Sequence, residues 1–221
     1  MNTRFPAALA AAVLLLAGTA HADYLWLQKE PAIGATSGDS TNTSAYFSIR
    51  AGELRKPLAA LPALQQPQAV LPDGKPLPVE ARADRFDVAL PSAAANGDLR
   101  FTATRTGDKG VLTYYQSRFG RAGTQAVNDL ELVPTEPGGN TFKLMFKGRV
   151  VSASQVNVDT AEGWRRQLAP AADGSVTLGT PFPGLYVLEV TARVDNGSVT
   201  LDGKKYDDVR HTATLSFEVK P

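Results

Sequence analysis

Apolar and polar residues alternate with a period of two through most of this chain, and tight-turn dipeptides separate the alternating runs. A strand turns successive side chains to opposite faces, so such alternation marks half-buried strands. Phe47 and Ile49 share one side of their run, as do Phe86, Val88 and Leu90, and then Leu99, Phe101 and Ala103. In that third run Arg100, Thr102 and Thr104 point the other way. Phe142, Leu144 and Phe146 form a further apolar face, and Tyr186, Leu188, Val190, Ala192 and Val194 a long one. Val209 to Val219 repeats the pattern at the end of the chain. Asp73-Gly74, Asn96-Gly97, Gly138-Gly139, Asp173-Gly174, Asn196-Gly197 and Asp202-Gly203 supply the positive φ angles that hairpins need. Helical spacing is scarce. The expected fold is all-β, two tandem antiparallel β-sandwiches. Leu54 to Pro72, with four prolines, reads as a covering loop or a short helical excursion.

The first residues have a separate logic. Arg4 precedes the apolar stretch Ala7 to Ala17, and Ala20-His21-Ala22 follows with small residues at −3 and −1. This is a signal-peptide pattern with cleavage expected after Ala22 and an alternative after Ala20. The apolar run is too short to span a bilayer, which needs roughly 20 residues. Residues 1–22 are therefore a signal peptide, 23–125 an N-terminal sandwich and 126–221 a C-terminal one. The expected location is the periplasm, with no direct membrane anchor after cleavage.

Loss of Arg4 from the 23 Lys and Arg leaves the mature chain balanced against its 22 Asp and Glu. A neutral chain lacks the basic surface that nucleic acid calls for, so no nucleic-acid partner is expected. There is no Cys, yet a chain of this length buries enough surface to fold without disulfides.

The second half carries an ordered set of features: Phe146-Lys147-Gly148-Arg149-Val150-Val151, then Asp173-Gly174-Ser175-Val176, then Pro183-Gly184-Leu185-Tyr186-Val187-Leu188-Glu189. It resembles the carboxypeptidase-regulatory-like β-sandwich. With Tyr24-Leu25-Trp26-Leu27 at the start and Ala213 to Val219 at the end, the whole resembles the DUF4198 family. That resemblance implies a periplasmic protein linked to nickel or cobalt uptake, with an inner- or outer-membrane transport component as partner. Family members commonly place a His just ahead of the aromatic–Trp–Leu motif. Asp23 stands there instead.

Metal chemistry has little to work with. Nickel and cobalt sites favour imidazole or thiolate ligands, and the mature chain offers His211 alone. His211 shares its alternation face with Val209, Ala213, Leu215 and Phe217, which reads as a partly buried strand residue with a hydrogen-bond partner. Asp23 and His211 are thus weak metal candidates. Divalent metal binding would be weak, and no cofactor is required. Asp202, Asp207 and Asp208 match no calcium loop. No Gly-x-Ser-x-Gly elbow is present and nothing marks a carboxylate pair, so no enzyme is expected.

Tyr114-Tyr115-Gln116-Ser117-Arg118-Phe119-Gly120-Arg121 is the most chemically loaded stretch. Tyr and Arg are enriched at binding surfaces. Tyr114, Tyr115, Arg118 and Arg121 are accordingly candidates for a ligand or partner surface, one tyrosine facing solvent. The plainer reading has a tyrosine capping the core and the arginines paired with carboxylates. The leading expectation is a non-enzymatic binding or accessory protein. The alternatives are a structural module docking on a transporter or receptor, and a carbohydrate-binding domain that an exposed aromatic beside a carboxylate pair would favour.

Overall fold

Nearly every alternating run becomes a strand in the computed structural model, which describes residues 23–30, 45–91, 94, 97–107, 110–153, 155–194 and 198–221. The signal segment, with His21, lies outside the described residues, as do Asn96 and the Asn196-Gly197 turn. In chain order the strands are β1 (Tyr24–Glu30), β2 (Ala45–Glu53), β3 (Lys56–Pro57), β4 (Gln65–Val70), β5 (Pro76–Leu77), β6 (Glu80–Ala81) and β7 (Arg85–Leu90). Then come β8 (Leu99–Thr106), β9 (Val111–Phe119), β10 (Leu130–Pro134), β11 (Thr141–Phe146), β12 (Arg149–Val151) and β13 (Val156–Thr160). β14 (Arg165–Leu168), β15 (Ser175–Thr177), β16 (Gly184–Val194), β17 (Val199–Leu201), β18 (Lys204–Tyr206) and β19 (Asp208–Val219) complete the chain. No α-helix occurs among the described residues, and the fold is all-β.

An eight-stranded sheet in the order β14-β13-β16-β19-β9-β8-β4-β5 runs through both halves. A sheet of β1-β2-β7-β6, with β3 on β2, covers one of its faces, and a sheet of β10-β11-β12, with β15 on β11, covers the other. Register explains the change of face. Across the β9–β19 ladder Tyr115 lies beside Thr212, and Gln116 beside Ala213. Odd residues of β9 therefore join Leu99, Phe101 and Ala103 in a core with Leu27, Phe47, Ile49, Phe86 and Val88. Ala213, Leu215 and Phe217 face the opposite way, into a core with Leu130, Leu132, Phe142, Leu144, Leu188 and Val190. Phe47, Phe86, Phe101, Phe142, Leu144, Leu188, Val190, Leu215 and Phe217 are buried as expected, and Phe146 is partly buried. Replacing Phe142 or Phe217 by Ala should cost about 3–5 kcal/mol.

The two sandwiches share this long sheet, and the pairing that joins them, β9 with β19, is parallel where tandem antiparallel units were expected. β1 lies across that joint. The Leu25 carbonyl accepts from Ser117 Oγ at 2.9 Å and from Thr214 Oγ1 at 2.6 Å. Tyr24 and Trp26 flank it and pack on Leu185 and Val187, so Trp26 is a core residue as expected.

Two local readings are corrected. Leu54 to Pro72 is neither a bare loop nor helical: it contains β3 and β4, and β4 pairs with β8. Pro67 is tolerated because the ladder shifts register between Gln65 and Gln68, with Gln66 at φ 50°. Arg100 and Thr104 do not face water, being 1% and 7% exposed. Alternation correctly sends them away from the first core, but that second face of the sheet is covered too.

Candidate functional site

β9 distributes the four Tyr and Arg candidates to separate places. Arg118 is not a surface residue: it is fully buried and directly opposite Arg100 on β8. Two cations side by side are tolerated because Glu131 of β10 sits between them, 2.9 Å from Arg118 Nη1 and 3.0 Å from Arg100 Nη2. Asp98 takes Arg118 Nη2 at 2.6 Å. The spare carboxylate lone pairs accept backbone amides of the loop joining the halves, Ala122 and Gly123 on Asp98, Val127 and Asn128 on Glu131. This is a neutral, closed knot. Arg121 stacks over the Phe217 ring at 4.0 Å and donates to Gly139 O and Asn140 Oδ1, so it lids the second core. Burial lowers its pKa from the ordinary arginine value.

The tyrosines do point to opposite faces, Tyr115 buried at the edge of a cleft and Tyr114 half-buried. Tyr114 stacks on His211 with centroids 4.9 Å apart, and Phe146 meets the same imidazole edge-on at 5.3 Å. Gln116 Oε1 accepts the Leu130 N–H at 3.0 Å and lies 3.2 Å from His211 Nδ1. An oxygen there can only accept, so His211 carries its hydrogen on Nδ1. Burial pushes the imidazole down to about 4, with Asp129 pulling it up and Lys147 pushing it further down. His211 is thus the buried, hydrogen-bonded strand residue the alternation implies. Among the described residues, no three His, Cys, Asp or Glu side chains gather so as to hold a metal ion.

Asp23 and Tyr115, from separate expectations, meet in one cleft of about 290 Å³. Its floor is the long sheet just beyond the start of β1, where Thr191, Thr212 and Tyr115 lie in one cross-strand row. The next row on the same face runs Arg210, Thr113, Arg105. Asp23 stands exposed at the rim. Arg210 is bound through two nitrogens to Asp208, which Arg193 also approaches at 3.2 Å. Arg105 differs: among the described residues it has no carboxylate in ion-pair contact, and its guanidinium lies near the Tyr115 hydroxyl. Burial raises the Tyr115 pKa and Arg105 opposes that rise, so the phenol stays protonated with its hydrogen free to donate.

The threonines are not equivalent. Thr191 donates to Glu189 Oε1 at 2.6 Å and contacts Thr212 at 3.0 Å. With its proton committed to Glu189, Thr191 accepts from Thr212, and Thr212 turns lone pairs to the cleft. Converging donors are therefore the Arg105 and Arg210 guanidiniums with the Tyr115 and Thr113 hydroxyls. Such a set receives an oxyanion, and Asp23 at the rim suits a cationic or metal-bearing part of the same ligand. Arg105, Arg210, Thr113 and Thr212 were missed in the sequence because each reads as the polar half of an ordinary alternating strand. No protein-family model matches the chain, and no curated protein matches it either.

Proposed function

We propose that this is an exported, non-enzymatic binding protein that holds a small carboxylate-bearing ligand, free or wrapped around a divalent metal, in the cleft beside Asp23. The observation that carries the reading is Arg105, a cation without a carboxylate partner among the described residues, facing a concave site with three further donors. The volume suits a molecule the size of a tricarboxylate. The DUF4198 resemblance supports an accessory role in periplasmic uptake of a metal complex, delivering to a membrane transport component. A free nickel or cobalt ion is a poorer fit, since His211 is packed between two rings and the cleft offers one carboxylate.

Calorimetric titration of the mature chain with citrate, nickel, and nickel citrate tests this. Citrate, alone or with nickel, should bind in the micromolar to millimolar range, and Arg105→Met should weaken it about tenfold or more. Binding of the metal complex alone would identify that form as the ligand. Citrate affinity unchanged in Arg105→Met, or nanomolar affinity for nickel alone that vanishes in His211→Ala, would overturn the proposal.

A further inference from the structure

The outer face of the β1-β2-β7-β6 sheet holds a second, larger concavity of about 720 Å³, away from the cleft and lined by none of its residues. Cross-strand pairing sets its floor. Glu30, Tyr46 and Ala89 form one row, and Asp87 and Glu80 lie in the next. All of these point away from the Phe47, Ile49 and Val88 core. Tyr46 is 37% exposed, and with Ala89 and Pro78 it makes an apolar platform in the concavity.

Around that platform the charges form one continuous alternating chain. Glu30 lies 3.7 Å from Arg50, which reaches Asp84 at 3.1 Å, and Asp84 meets Arg85 at 3.2 Å. Arg85 joins Asp87 at 2.8 Å, Asp87 takes Arg82 at 2.9 Å, and Arg82 ends on Glu80 at 2.6 Å. Partial burial works to raise the Asp87 carboxyl, but the hydrogen bonds from Arg82 and Arg85 outweigh it and hold the group below the usual range. Both partners stay ionised and fixed in orientation.

The lining arginines (Arg50, Arg82 and Arg85) are matched by Glu30, Glu80 and Asp87. Asp84, just outside the lining, gives the whole chain four carboxylates to three guanidiniums. Its single net negative charge repels an anion, and a cation entering the groove would have to displace a guanidinium from its carboxylate. A neutral molecule rich in hydroxyls meets no such obstacle. Each hydroxyl both donates and accepts, so it can join the free edges of a carboxylate and a guanidinium without separating them. The flat aliphatic side of a sugar ring covers a tyrosine face, where one end of the contact is apolar and the other wet. We propose that this groove binds a neutral saccharide, stacked on Tyr46 and hydrogen-bonded along the chain from Glu30 to Glu80. The site is separate from the cleft beside Asp23 and does not depend on it.

The test is calorimetry on the mature chain with maltotriose, cellotriose, chitotriose and mannotriose, run beside trigalacturonate as the acidic counterpart. At least one neutral trisaccharide should bind with Kd near or below about 1 mM. Tyr46→Ala should weaken it about tenfold or more, Tyr46→Trp should retain it, and Asp87→Asn should weaken it. Tyr46 is exposed, so the unfolding midpoint of its variants should match the parent and separate lost binding from lost folding. Absence of binding by all four neutral sugars would overturn the proposal. So would tighter binding of trigalacturonate, or a Tyr46→Ala affinity equal to the parent's.

Discussion

β8 and β9 carry three arginines whose surroundings could hardly differ more. Arg100 and Arg118 stand side by side at one end, buried and locked onto Glu131 and Asp98. Arg105 stands five positions further along β8, on the opposite face, with the Tyr115 hydroxyl for company and open space beside it. The side chain is the same, and Arg100 and Arg105 even share a strand. Among the described residues, what distinguishes the ends is the carboxylate content of the elements that fold over them. β10 and the loop before it bring a carboxylate and four backbone amides onto the knot. At the other end, Asp208 is already shared by Arg193 and Arg210. A closed charge network holds the halves together, and the other end lies open beside a cleft.

Removing a carboxylate from the closed end should break the contrast most severely. Glu131→Gln keeps the shape but leaves two buried guanidiniums facing Asp98 alone, so denaturant unfolding should show a loss of about 3–5 kcal/mol. A loss below about 1 kcal/mol would mean that water reaches the knot and that its two arginines are not truly enclosed.

His211, behind β9 between the two ends, gives the next largest effect. Its folded pKa is depressed to about 4, against about 6.5 for an unfolded histidine. Between those values the unfolded chain binds more protons, so stability should fall as pH drops through this window, by about 3 kcal/mol in all, and then level off. Asp129 lessens the shift and Lys147 adds to it. The difference in unfolding free energy between the parent and His211→Gln, measured at several pH values from 7.5 to 4, isolates this group from the carboxylates. A difference that does not change with pH would show that the imidazole is hydrated.

The smallest effect belongs to the open end. Arg105→Met should change stability by no more than about 0.5 kcal/mol, since it breaks no carboxylate pair among the described residues. The same variant should weaken citrate binding about tenfold or more. Should it instead unfold as readily as Glu131→Gln, Arg105 would be a structural residue like its neighbours and the contrast would vanish.

Much of the framework was legible because its causes are local. Period-two alternation placed Phe47, Phe86, Phe101, Phe142, Leu188 and Phe217 in cores. Asp202-Gly203 makes a tight hairpin with both φ angles positive, 50° and 76°. Lys147-Gly148 does the same at 47° and 75°, which turn chemistry did not flag because Lys is an uncommon first partner for the glycine. Leu54 to Pro72 was misread because its prolines argue against a strand, and a bulge that accommodates Pro67 depends on β8.

The sequence by itself determined an all-β chain, the inward side of most strands and several of its turns, since a side chain's face follows from its own position and its nearest neighbours. Tertiary structure alone decided that the last strand lies parallel to β9, with His211 against Gln116 across 95 residues of chain. It also decided that Arg118 is enclosed and that Arg105, Tyr115 and Thr212 share one wall. A strand pattern says which residues must be covered, but not by what. The partner is chosen by the summed packing of distant segments, and a charged residue becomes a strut or a binding group according to what that partner brings.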